Sequence, residues 1–152
     1  MKHILKQIAL ILVLFLLNNS CSDNTVSPPN DGFIESVADT WVVNQESLIT
    51  LDDQDITSAV LGFEITIDNN LNFTTNSTIV SIQPFPWPAS GSFQLNDQQN
   101  QFTRNDGLVL SVLVNNDNCL ALSFQFDASY EDSNGGRTRG ITGEWNMELK
   151  RK

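Results

Sequence analysis

Eighteen carboxylates, two thiols and a single imidazole are the groups through which this 152-residue chain could do covalent or metal chemistry. The imidazole, His3, lies in an opening stretch that reads as removable, so the rest of the chain cannot assemble a Ser-His-Asp or Cys-His nucleophile. Zinc on His and Cys ligands is closed off for the same reason, because Cys119 alone cannot supply a ligand set. A pair of carboxylates can run glycoside chemistry, but nearly all of those here fall at turns or on the outward phase of strands. Asp52, Asp53 and Asp55 form the densest acidic group, and their oxygens suit Ca²⁺, yet the ligand order and glycine of an EF-hand are missing. The sequence therefore assigns no catalytic residue, no metal and no cofactor, and the chain reads as a non-enzyme. Two aromatics stand apart. In Gln83-Pro84-Phe85-Pro86-Trp87-Pro88 the alternating prolines force an extended backbone and leave Phe85 and Trp87 without a strand partner. Such a pair can form a binding lip for a sugar ring, a lipid or a partner protein, or it can fold over one end of the domain and finish the core.

The opening stretch has a recognisable layout. Lys2, His3 and Lys6 form a basic head, ten unbroken apolar residues run from Ile8 to Leu17, and Asn18, Asn19 and Ser20 lead to Cys21. This is the pattern of a secretory signal peptide over residues 1–20. A membrane-spanning helix needs about twenty apolar residues to cross roughly 30 Å of hydrocarbon, so the run is too short for a permanent span. The small residue directly before Cys21 resembles the lipobox of bacterial lipoproteins, in which the cysteine thiol is acylated and becomes the new N-terminus. That pattern usually carries Leu three residues before the cysteine, a place Asn18 holds here. The resemblance implies a lipid on Cys21, and two or more acyl chains hold a protein at a membrane stably. Ser22, rather than an aspartate, implies sorting to the outer membrane, on its periplasmic side or at the cell surface. An acylated Cys21 would leave Cys119 as the only free thiol and rule out an intramolecular disulfide.

Residues 21–35, with Pro28 and Pro29 among them, read as the lipidated cysteine and a tether, leaving one domain over residues 36–152. Without residues 1–20 the chain has six basic against eighteen acidic residues, a net charge of −12. Nucleic acid is excluded as a partner, since affinity for phosphate backbones comes from clustered Lys and Arg. Five of the six basic residues do gather late, at Arg137, Arg139, Lys150, Arg151 and Lys152, and read as a solvated C-terminal strand and tail.

From residue 60 onward the apolar pattern has period two. Phe63, Ile65 and Ile67 alternate with Glu64, Thr66 and Asp68. Leu120, Leu122, Phe124 and Phe126 do the same, as do Gly143, Trp145, Met147 and Leu149. Turn clusters at Asp68-Asn69-Asn70, Asn96-Asp97-Gln98, Asn105-Asp106-Gly107, Asn115-Asn116-Asp117-Asn118 and Asn134-Gly135-Gly136 tolerate positive φ and close hairpins. The spacing predicts eight or nine strands near 41–48, 61–68, 71–75, 78–82, 90–96, 100–104, 108–114, 119–128 and 139–149. Only 50–60 breaks the pattern, where Asp55 can cap a single helical turn. Short connections make successive strands antiparallel, and such a meander closes into an all-β, up-and-down barrel of about eight strands. A two-sheet sandwich is the alternative.

Thr40-Trp41-Val42-Val43, Ser90-Gly91-Ser92-Phe93 and Gly140-Ile141-Thr142-Gly143-Glu144-Trp145 together resemble the lipocalin-like lipoproteins of unknown function found in Gram-negative bacteria, over roughly residues 36–152. Lipocalins open with Gly-x-Trp, whose indole closes one end of the barrel. The resemblance gives that role to Trp41, while Asp39 departs from the glycine. Phe63, Phe73, Phe93, Phe102, Phe124, Phe126 and Trp145 fall on inward phases. At 150–250 Å² each they point to a mostly filled interior. The expectation is a non-catalytic binding or accessory module of the cell envelope, membrane-anchored through its lipid. It would hold an envelope protein or glycan against its outer surface or at Phe85, Trp87 and Trp41. The alternative is a carrier of one small apolar ligand inside the barrel.

Overall fold

The computed structural model describes residues 30–82, 84–96, 100–115, 118–127, 130–131, 137–138 and 142–152. Residues 1–20, expected to be a signal peptide, and Cys21, Gln83, Gly140 and Ile141 lie outside them. So do the middle of the turns at 97–98 and 116–117 and the whole of 134–136.

Alternating burial along the long strands shows how the sheet forms. In β9 (Cys119–Asp127) Leu120, Leu122 and Phe124 are buried, and in β12 (Thr142–Arg151) Trp145, Met147 and Leu149 are buried. The antiparallel register places Leu149 opposite Leu120, Met147 opposite Leu122 and Trp145 opposite Phe124. One face therefore carries a continuous apolar ladder, and a slip of one residue would turn the whole ladder to water. The rings of Phe124 and Trp145 stack 6.2 Å apart and almost parallel, at 2°.

Six further strands complete the ring: β1 (Thr40–Val42), β4 (Glu64–Ile67), β5 (Asn72–Thr75), β6 (Ser90–Asn96), β7 (Gln101–Arg104) and β8 (Val109–Asn115). Hydrogen-bonded neighbours run β1-β4-β5-β6-β7-β8-β9-β12, and β12 pairs back onto β1 through Trp41 opposite Arg151. All pairs are antiparallel, so the protein is an all-β, closed eight-stranded barrel, and closure leaves the ring without a free edge.

Several boundaries differ from the expectation, each for a local reason. The strand expected over 41–48 breaks after Val42, because Asn44 and Ser47 close a turn of their own. Ser47 Oγ accepts from Asn44 N at 3.0 Å, and Asn44 Oδ1 accepts from Glu46 N at 2.8 Å. The chain then resumes as β2 (Leu48–Leu51), which lies along β12 with Ile49 opposite Met147 and pairs with β3 (Gln54–Asp55). Residues 50–60 thus hold a hairpin before the expected helical turn, a 3₁₀ turn at Thr57–Ala59, where Asp55 Oδ1 accepts from Thr57 N at 2.9 Å. The strand expected at 78–82 is absent, and Ser77–Ile79 is a 3₁₀ turn instead. Asn76 ends the pairing there: its side chain binds Glu64 N at 2.7 Å and Gly62 O at 3.0 Å, which occupies the edge of β4. A small separate hairpin, β10 (Tyr130–Glu131) and β11 (Arg137–Thr138), precedes β12.

Residues 30–35, expected to belong to a tether, are helical. Asn30–Val37 form a helix, α1, on which Phe33 and Val37 are buried, so the domain begins by residue 30. Phe33, Ile34 and Val37 share one helical face, and burying that face offsets the low intrinsic stability of an eight-residue helix.

Gly91 on β6 marks a close approach in the sheet. A Cβ there would sit 2.6 Å from Phe73 Cζ and 2.7 Å from Asn105 Oδ1. Gly91→Ala is expected to destabilise the barrel by about 1–3 kcal/mol through overpacking, read as a fall in the denaturation midpoint at unchanged m-value.

Candidate functional site

Each end of the barrel is sealed by a different device, and these seals contain the aromatic residues singled out in the sequence. At the end where β1 begins and β12 stops, α1 lies across the opening. Phe33 meets Phe102 with ring centroids 5.9 Å apart, and the fully buried Trp41 donates from Nε1 to Val37 O at 2.7 Å. Arg151 covers the outer side of this indole, its Cζ 5.1 Å from the ring centroid, and donates from Nη2 to Ser36 O at 3.3 Å.

Asp39 ties this seal together. Its Oδ1 accepts from Thr40 N at 2.7 Å and its Oδ2 lies 3.1 Å from Arg151 Nε. That N–H is close enough for an ion pair but is not aligned for a hydrogen bond. Lys152 pairs with Glu64 at 2.9 Å, so two of the clustered C-terminal cations serve the protein's own carboxylates.

At the opposite end residues 84–88 turn into the barrel. Trp87 is 2% exposed and sits among four rings, with centroids of Phe73 and Phe124 at 5.8 Å, Phe63 at 6.1 Å and Phe93 at 6.2 Å. Its Nε1 donates to Met147 Sδ at 3.2 Å. Phe85 is half-buried, edge-on to Phe63 at 5.0 Å and to Trp145 at 5.8 Å. The three prolines offer no N–H, so this stretch cannot join the ladder. Its route is set by side chains and by Thr75, whose N and Oγ1 donate to Ala89 O and Pro88 O, both at 2.8 Å. Of the three aromatic candidates, then, Trp41 and Trp87 are core residues, and Phe85 packs against the core with part of its ring in reach of solvent.

The residue that positions this plug is Arg104, which sequence reasoning passed over. It is 3% exposed and points inward from β7. Its Nη1 donates to Pro86 O at 2.6 Å, its Nε and Nη2 grip Asp106 at 2.8 and 2.6 Å, and its Cζ lies 5.5 Å from the Trp87 ring centroid. A guanidinium can do all of this at once because its donors form a planar fork and its face stacks on aromatics. The hydrogen bonds from Arg104 hold the Asp106 carboxyl below its ordinary range. The signal available in the sequence was the phase: Arg104 follows Phe102 by two, so a cation stands where the ladder demands an inward side chain.

Asp55 and Asp68 are engaged with their own turns, and Asp52 with β12. Asp52 Oδ1 accepts from Glu144 N at 2.8 Å and Asp55 from Thr57 N, so the acidic group at 52–55 is split between two backbone contacts. Asp68 Oδ1 accepts from Asn70 N at 2.9 Å and Asn72 N at 2.8 Å. Side-chain hydrogen bonds from Thr57 and Asn72 lower Asp55 and Asp68 below the usual carboxyl range. Among the described residues no three His, Cys, Asp or Glu side chains gather into a metal site, and no helix is long and apolar enough to cross a membrane.

Cys119 is 5% exposed at the start of β9. The only other cysteine in the chain, Cys21, lies outside the described residues.

The class defined by this architecture is a closed eight-stranded antiparallel β-barrel, sealed at one end by a helix over a tryptophan and at the other by an arginine-clamped aromatic plug. The chain matches no known protein-family model, no curated protein and no solved structure.

Proposed function

We propose that this protein is an exported, non-catalytic accessory module of the outer membrane, held there by lipid on Cys21 and meeting an envelope protein or glycan through the outside of a solid barrel. The observation that carries the reading is the occupied interior. Trp41, Trp87, Trp145, Phe63, Phe73 and Phe102 are among the largest fully buried side chains, in the space where a carrier barrel would keep its ligand. A binding surface must then lie outside.

Two measurements test this. Acylation and a disulfide would compete for the same sulfur at Cys21, so the intact mass of the mature protein from its own host reads the anchor directly. Acyl chains on Cys21 support it; a mature chain without lipid overturns it. Native mass spectrometry of the same preparation is expected to give an unliganded barrel, and one apolar molecule per chain would favour the carrier reading instead. A Phe85→Ala, Trp87→Ala double variant is a poor probe of partner binding, since Trp87 supports the core.

A further inference from the structure

We draw no further inference here: the strongest candidate, the shallow groove of about 290 Å³ on the outer face of β8, β9 and β12 lined by Ser111, Leu113, Ala121, Ser123, Asn146 and Glu148, carries nothing because nothing in the structure shows what covers it.

Discussion

Trp87→Ala is expected to lower the stability of the barrel by about 3–5 kcal/mol and to open an apolar chamber that takes up free indole. The cost has three sources. The indole loses its burial among Phe63, Phe73, Phe93 and Phe124, its N–H contact to Met147 Sδ, and its stacking under Arg104. A domain of this size is stable by about 5–15 kcal/mol, so the variant should be folded but close to marginal. Apart from the Arg104 guanidinium, which a bound indole can face as Trp87 does, the walls of the vacated space are aromatic and aliphatic, and cavities of that kind accept small aromatics. Saturating indole should therefore restore part of the loss, about 2.7 kcal/mol at a hundred times its Kd. Urea titrations with and without indole measure both quantities. A loss below about 1 kcal/mol, or indole binding by the wild-type barrel, would contradict a filled interior.

The face of each long strand was legible because burial in a sheet has a strict period of two. Phe63, Phe73, Phe93, Phe102, Phe124 and Trp145 all point inward as the alternation requires, and Phe126, nearer the end of β9, is only partly buried. The route of residues 84–88 was not legible. Prolines state that a segment leaves the ladder, but not whether it leaves toward water or toward the core. That choice depended on a donor for Pro86 O placed eighteen residues later, at Arg104. The break after Val42 was hidden for a similar reason: Asn44 reads as an ordinary strand residue until its side chain competes for the backbone.

The first turn of the domain shows the reverse error. Pro28 and Pro29 read as tether, yet proline just ahead of a helix is also a start signal, and Phe33, Ile34 and Val37 follow at helical spacing. What the sequence could not supply was the reason for the helix, an open barrel end beside Trp41 that needs covering.

Arg104→Met is expected to cost about 2–3 kcal/mol, and the penalty should shrink in acid. Methionine can fill the volume of the stem, so the loss isolates the head group. Pro86 O, on a buried residue, would lose its donor, worth about 1–3 kcal/mol, and Trp87 would lose the cation over its face, worth about 0.5–2 kcal/mol. Arg104→Lys should recover less than half, because an ammonium cannot hold Asp106 through two oxygens and Pro86 O while lying flat on the indole. Asp106 supplies the pH dependence. Its pKa in the folded state lies below the unfolded value, so its pairing stabilises the fold above about pH 4, and this contribution fades as the pH falls through the lower, folded pKa. The Asp106 side chain is 52% exposed, so water screens the pair and the acid-sensitive share is the smaller part of the whole. The difference in stability between wild type and Arg104→Met, followed by urea titration from pH 7 to pH 3, should therefore narrow without closing. A gap that stays constant would mean that Arg104 acts on Pro86 and Trp87 alone; a gap that vanishes would mean that the plug is held by Asp106.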